Sequence, residues 1–549
     1  ADQYQSGYGN YAFINQTFGS FNYALQHQGG DDNTASIDQT GSNGNNAEQL
    51  QGWTYLFDNL VGPSYFGEAT ILQRYGMDNM ADQFMEGYGN YAFLNQDYGV
   101  GNTSDQDQRG DLNTGNIDQS FGFGNTAWQR QGSWGHGPSN FGEATIVQAY
   151  GSHNVAEQFQ YGDNNSGLIY QDFGFENTAT QFQGHSIHGL SYFGEATIYQ
   201  QFGSHNSATQ RQRHGNEFSF NVAMIDQWGG YFNTAIQHQA GGGNIAKVHQ
   251  ATSMENFAQQ AQGGTDNEAS IDQTGGDMNT AVQAQGRTYQ FSHLNERSYG
   301  GEATIIQSGG VFNFAEQYQQ GFENMAETSQ EGSENTAVSN QLGESNEAII
   351  TQIGHANRAY NDFFGGPGQD GFYNRLTMDQ TGSWNMLWNN QFGNWNSARQ
   401  FQIGDNNYAG SSQQGESHFS RQRQIGDYNW SEIWQTGYDQ SGINYAQGLN
   451  NQAYISQSGP NNNTGRIGQG ATWSASNPRP GWIWDSPTAN NVGVLYQDGE
   501  FNTSYQEQLG EGSHFSIVGQ FGIGNDANTL QNGLGHYSDV FQYGNFNTS

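Results

Sequence analysis

The sequence predicts an all-β fold: a β-solenoid of about 21 two-strand rungs with two facing parallel sheets. Three observations predict it. The segments NTGNIDQSFGFG, NTAWQRQG, NEASIDQTGGDM and NTAVQAQG, beginning at Asn113, Asn125, Asn267 and Asn279, share the frame N-x-A-x-[I/Q]-x-Q followed by a Gly-rich turn. Successive frames are spaced alternately 11 and 12 residues apart, which makes a 23-residue period of two unlike halves. Pro63, Pro138, Pro367, Pro460, Pro478, Pro480 and Pro487 all fall in turns or insertions, as central strands that cannot lose an N–H donor require.

Each element follows from the frame. The Asn, Ala, Ile/Gln and Gln positions alternate with a strand period of two, so all four side chains share one face. An Ile-type half is carried by Asn113, Ile117 and Gln119, and by Asn267, Ala269, Ile271 and Gln273. A Gln-type half is carried by Asn125, Ala127, Gln129 and Gln131, and by Asn279, Ala281, Gln283 and Gln285. Strand, turn, strand and turn complete one rung, and rungs about 4.8 Å apart would build one continuous solenoid over residues 1–549, a rod roughly 100 Å long. Inward Asn and Gln repeated in every rung are expected to form amide ladders along the axis. Antiparallel facing of the halves sets Ile of one against Ala of the other, large against small. The distinction between halves fades after about residue 380, and the stretch from Tyr438 to Leu449 does not parse.

Composition fits a solenoid better than an oily core. Apolar residues are 33% and mean hydropathy is −0.83, yet aromatics reach 14% and Pro only 7 residues, against the pattern of disorder. A net charge of −37, with Lys247 the single lysine, disfavours nucleic acid and anionic membrane surfaces. No apolar run approaches the ~18–20 residues of a membrane span. Cysteine is absent, so disulfides and Cys-based metal sites are excluded.

Insertions interrupt the frame at about 53–66, 133–141, 185–192, 287–300, 361–372 and 472–490. After the first four the chain resumes with GEATI, at Gly67, Gly142, Gly194 and Gly301. All four follow a Gln-type half, so they leave the same edge. They read as edge covers, whereas 472–490, with Trp473, Trp482 and Trp484, is a candidate contact loop.

The repeat resembles the curlin repeat family, subunits of bacterial extracellular amyloid fibres. Gln160-Tyr-Gly162-Asp-Asn-Asn165 matches the family's turn, and Asn125-Thr-Ala127 followed by Gln131 matches its strand. Asn rather than Ser begins most strands, and the Ile-type turn often carries an extra residue, as in Gln119-Ser-Phe-Gly122. The resemblance implies a secreted β-solenoid that polymerises end to end into matrix fibres, outside the cell or on its surface.

No catalytic, cofactor or metal site is expected. His153 and His205 share one turn position, no zinc-enzyme spacing occurs, and Asp38, Asp118, Asp226 and Asp272 recur outside Ile-type strands as a solvated face. The expected partner is the chain itself, head to tail with lateral bundling; glycan or matrix contacts define the alternative, an adhesin or glycan-binding rod. An ice-binding surface is the weakest expectation, for want of a flat Thr-x-Thr array. The start, ADQYQSG, supplies Ala1, Gln3, Gln5 and Gly7 of a Gln-type half without its Asn. The end, Asn547-Thr548-Ser549, supplies an Asn and a small residue. These fragments are expected to meet at the subunit junction and nearly complete one rung.

Overall fold

A computed structural model describes residues 1–52, 63–132, 139–184, 193–213, 220–286, 298–361, 368–469, 471–474, 481–484, 488–509 and 513–549; of those between 471 and 489 only the backbone is described. Among the described residues there is no helix and 73% lie in strands. They divide into two compact units, Ala1–Met278 and, beyond it, 279–286 with 298–549. Each unit is a β-solenoid of two parallel sheets, and the coils number about 21 in all.

In unit one the Gln-type strand Thr126–Gln131 pairs in parallel with Thr103–Arg109 and Val155–Gln160. The Ile-type strand Thr114–Ser120 pairs likewise with Tyr91–Asp97 and Glu143–Ala149. Register is set frame on frame, so Leu94, Ile117 and Ile146 form one column, each fully buried. Each contributes about 1.5–3 kcal/mol of burial. Opposite the large positions stand small ones. A Cβ added to Gly115 would lie 2.5 Å from Gln106 Nε2, and in unit two one added to Gly493 would lie 2.7 Å from Ile467 Cγ2.

Two turn types close the coils. The short turn is Q-x-G-x-x-N, as from Gln108 to Asn113, with φ +119° at Gly110 and +55° at Leu112. The long turn has one more residue, as from Gln96 to Asn102, with φ +53° at Tyr98 and +66° at Gly101. Unit one places the short turn after Gln-type strands and the long turn after Ile-type strands, giving its 23-residue coil.

Unit two departs from the 23-residue expectation. From Gln319 to Asn451 every turn is short, so coils repeat every 22 residues apart from the insertion at 362–367. Its two sheets also exchange chemistry. The sheet with Ile305, Ile350 and Met378 at the fifth frame position goes on to Gln400, Gln422 and Asn444. The other sheet passes from Ser339, Asn361, Asn389 and Ser411 to Ile433, Ile455, Leu495 and Val518. The fading of the two halves is therefore an exchange of the aliphatic column between sheets, and Ile433, Ile455, Leu495 and Val518 cluster in one core.

The unparsed stretch from Tyr438 is a regular strand, Ser441–Leu449, with Gly442, Asn444 and Ala446 at the inward frame positions. Pro460 is a correction: it lies within the strand span Gln452–Asn461, at an irregularity where the register shifts between Ser458 and Asn461.

Candidate functional site

The repeated feature that spans each unit is the inward amide array. In unit one, three Gln columns run from coil to coil, at the fifth and seventh positions of Gln-type strands and the seventh of Ile-type strands. Gln119 Nε2 donates to Gln148 Oε1, Gln148 to Gln171 and Gln171 to Gln200, at 2.7–2.8 Å. Gln129 donates to Gln158 and Gln131 to Gln160, each at 3.0 Å. Each donor points to the following coil. The same Nε2 also reaches backbone carbonyls of the facing strand, as Gln148 does to Thr126 O at 3.0 Å, so the seventh-position Gln ties the two sheets together.

The direction of donation explains where amides are orphaned. Met85 interrupts one column, and the next residue in it, Gln108, has an Oε1 without a hydrogen-bond partner. Ala446 interrupts a column of unit two, and the Oε1 of Gln469 is likewise without one. Met85 compensates by packing against Ala69 and Ala92.

Asn forms the expected side-chain ladder in part and adds bonds to the turn backbone: in unit two Asn335, Asn357, Asn385, Asn407, Asn429 and Asn451 each donate Nδ2 to the Oδ1 of the Asn one coil back at 3.0–3.2 Å. Asn102 N–H donates to Asn79 Oδ1 at 2.9 Å, and Asn79 Nδ2 donates to Gly99 O at 3.0 Å. Asn113 and Asn125 follow suit, receiving on Oδ1 the N–H of Gly142 and of Asn154. Asn is thus both a ladder member and a clamp on the turn backbone, because its short side chain reaches its column neighbour and the turn but not across the core. In unit one Asn267 is held by Asn244, Ala269 and Ile271 are buried, and Gln273 accepts from Gln250 at 2.8 Å. In unit two Asn279 accepts from Asn313 N–H, Ala281 is buried, and Gln283 and Gln285 donate to Gln317 and Gln319. Ala127 is fully buried in its column.

The terminal fragments are each held by their own unit. Gln3 and Gln5 donate to Gln26 and Gln28 at 2.7 Å, Ala1 precedes the strand Asp2–Ser6, and Gly7 takes φ +105°. Asn547 donates to Asn525 Oδ1, Thr548 bridges Asp526, and the Ser549 N–H donates to Asp526 O. The strand beside them carries Thr529 where its predecessor has Gln506.

The two edges of unit one differ. The segments 53–62, 133–138, 185–192 and 214–219 all depart from the short-turn edge, the last of them unnoticed in the sequence. The chain is back in register at Ser64–Tyr65, and Ser64 and Gly67 exchange the roles of the usual Gly and Asn. Asn33 Nδ2 donates to Ser64 O at 2.7 Å, Gly67 N–H donates to Asn33 Oδ1 at 3.0 Å, and a Cβ on Gly67 would meet Ser64 Oγ at 2.8 Å. The serine hydroxyl occupies the room an Asn side chain would need. In unit two, 362–367 instead interrupts a strand between Asn361 and Gln369, and Gln369 still joins its Gln column. The backbones of Ala471–Ser474 and Gly481–Trp484 form an antiparallel ribbon with Trp473 opposite Trp482. The side chains of Trp473, Trp482 and Trp484 lie outside the described residues.

The long-turn edge of unit one carries a feature the sequence reading missed. Tyr75, Tyr98, Phe121, Tyr150, Phe173 and Phe202 stack in one row at 4.9–5.2 Å between ring centroids, with interplanar angles of 2–19°. Trp228 closes the row edge-on. Each of the six occupies the extra residue of a long turn at φ of about +50°. The signal was available in Gln119-Ser-Phe-Gly122, whose Phe121 belongs to the row. A second row, with Phe123, His153, Phe175 and His205, zigzags beside it.

Charges are sparse and locally arranged. Asp38 pairs with Arg74 at 2.9 Å, Asp226 with His249 at 3.2 Å, and Asp118 accepts from Asn95. Between them on the same column stand Leu72, Val147, Tyr170 and Tyr199, so the recurring aspartates do not line up on adjacent coils. Glu48, Asp82 and Asp105 do, and burial followed by the charges of Glu48 and Asp105 pushes Asp82 up to about 6. Burial, with Arg211 and Arg213 nearby, lowers His238 to about 3. No three His, Asp or Glu side chains converge as a metal site among the described residues.

Residues 321–354 match the family model described as Curlin associated repeat. They lie in unit two, where both turns of the coil are short. No curated protein matches the chain.

Proposed function

We propose that the chain is the structural subunit of an exported fibre, adding copies head to tail by stacking coil on coil. The curlin-associated repeat at 321–354 and the β-solenoid fold are of a structural kind, and the curlin repeat family is associated with extracellular curli fibres. The observation that carries the reading is the one-way polarity of the amide columns. Every coil offers Gln Nε2 donors on one face and Gln Oε1 acceptors on the other, beside an equally polar parallel backbone ladder. The forward face of a coil in one copy therefore complements the rear face of a coil in the next, and a coil joined this way satisfies the same buried amides as an internal one.

Electron microscopy and X-ray diffraction of the purified full chain test this. Long unbranched filaments with a meridional spacing of about 4.8 Å are expected. Particles that stay single solenoids at all concentrations would overturn the fibre reading in favour of a discrete surface rod.

A further inference from the structure

We propose that the aromatic edge of unit one is a lateral interface, and that its occupant is the same edge of a second copy of this chain. The contact is separate from coil stacking, since it lies along the side of the solenoid and uses neither amide columns nor backbone ladders.

Area comes first. The stacked row from Tyr75 to Trp228 is 45–55% exposed at every ring. The neighbouring row adds exposed Met77, Phe123, Phe175, Tyr231 and Phe232. Half-exposed side chains of this size present roughly 100 Å² each, so the edge offers on the order of 1,000 Å². That exceeds the largest apolar patch of an ordinary monomer, about 300–600 Å², and reaches the ~800 Å² per partner of a standard stable interface.

Shape decides the occupant. The rings are near-parallel at about 5 Å, so their faces are turned toward their neighbours along the row and their edges form ridges toward solvent. Sugar rings stack on free aromatic faces, which this row uses internally. Ridges repeating at the coil spacing mesh with grooves of the same spacing, and a second copy supplies them in a self-complementary, isologous contact. The edge is also free of insertion roots: the described ends of 53–62, 133–138, 185–192 and 214–219 all sit on the short-turn edge. Opposing the contact is the net charge of −37 on each copy, so pairing tightens as salt screens it.

Mass per length of the full chain, measured by scanning transmission electron microscopy in low and high salt, tests the proposal. The wild type is expected to reach about twice the single-solenoid value in high salt. The variant Tyr98→Asn/Tyr150→Asn/Phe202→Asn, which keeps a residue that tolerates φ near +55°, is expected to stay single with unchanged β-sheet circular dichroism. Because the chain has no cysteine, a second measurement is independent of that variant's folding. Tyr150→Cys, mid-row, is expected to give disulfide-linked dimers on mild oxidation, whereas Leu112→Cys on the opposite edge is not. A single-width wild type in high salt, a folded triple variant that still pairs, or equal cross-linking at the two positions would overturn it. So would single-width wild type whose Trp228 fluorescence responds to cellohexaose, which assigns the edge to a glycan.

Discussion

The coils of unit one and those from Gln319 to Asn451 in unit two bury the same frame, yet differ by one residue in one turn. In unit two both turns carry Gly with φ between +102° and +131°, a region closed to side chains. In unit one the longer turn relaxes the same bend to φ near +50°, where Tyr and Phe can sit. Both turns also have a left-handed position just before the Asn, where Tyr373, Trp384 and Trp395 sit at φ +55° to +59° in unit two, so the added residue replaces the Gly of the short turn by a second position open to aromatics, without altering either sheet. A solenoid edge can acquire an interaction surface through turn length alone, while the core stays fixed.

The largest expected effect comes from forcing a side chain onto the glycine edge. Gly393 takes φ +111°, and a Cβ there would lie 2.0 Å from Gly415 O. Gly393→Ala is expected to cost about 4 kcal/mol, through strain and the lost turn contact. Tyr98→Gly on the long-turn edge of unit one is expected to change stability by less than about 1 kcal/mol, because relief of the left-handed backbone offsets the lost ring contacts. Urea midpoints with hydrogen exchange at the flanking coils check both. Similar losses at the two sites would break the distinction between the turns.

A smaller effect probes what the units share. The seventh-position column runs from Gln285 to Gln542 through both halves of the sheet exchange in unit two. The fifth position changes freely between Ile, Met, Gln, Asn and Ser. Gln148→Leu in unit one is expected to cost about 2–3 kcal/mol, since it orphans Gln171 Oε1 and cuts the tie to Thr126 O. Ser339→Ala at a fifth position is expected to cost under about 1 kcal/mol, because its buried Oγ already lacks a partner and aliphatic residues fill that place elsewhere. Thermal unfolding of the pair decides; equal losses would mean that the core does not distinguish the two positions.

This hierarchy explains what the sequence made legible. Asn113, Ile117 and Gln119 announced a strand period and a two-half coil because their side chains alternate without exception, and the sheets follow directly. The change to 22-residue coils was hidden by attention to the fifth position, which exchanges sheets between Met378 and Ile433; following Gln330, Gln352 and Gln380 would have exposed it. The row from Tyr75 to Phe202 lay outside the frame, so nothing inward marked it, and ring stacking between turns 23 or more residues apart emerges only once coils are superposed. The role of Asn was legible only in part: its side-chain ladder, as from Asn335 to Asn313, follows from repetition, whereas one methylene fewer than Gln also brings its amide within reach of the turn backbone, as at Gly99 O.

The smallest effect contrasts two half-buried carboxyls. Asp379 in unit two is pushed up by burial but held back by Arg399 and a hydrogen bond from Thr351. Asp82 in unit one stands between Glu48 and Asp105 on adjacent coils, with Asp107, Arg109 and Arg130 gathered in the neighbouring column. Burial and like charge together raise Asp82 to about 6, well above its ordinary 3.8. A raised acid binds its proton more tightly in the folded chain than in the unfolded one, so its contribution to stability is full below about pH 4 and is lost as pH rises through 6. After allowance for solvent screening about 1 kcal/mol remains. Unfolding midpoints measured from pH 4 to 7 should therefore fall in the wild type and flatten in Asp82→Asn, with the change concentrated in hydrogen exchange of the strands Asn46–Gln51 and Met80–Tyr88. A slope that survives in Asp82→Asn would place the titrating group elsewhere and remove this contrast between the units.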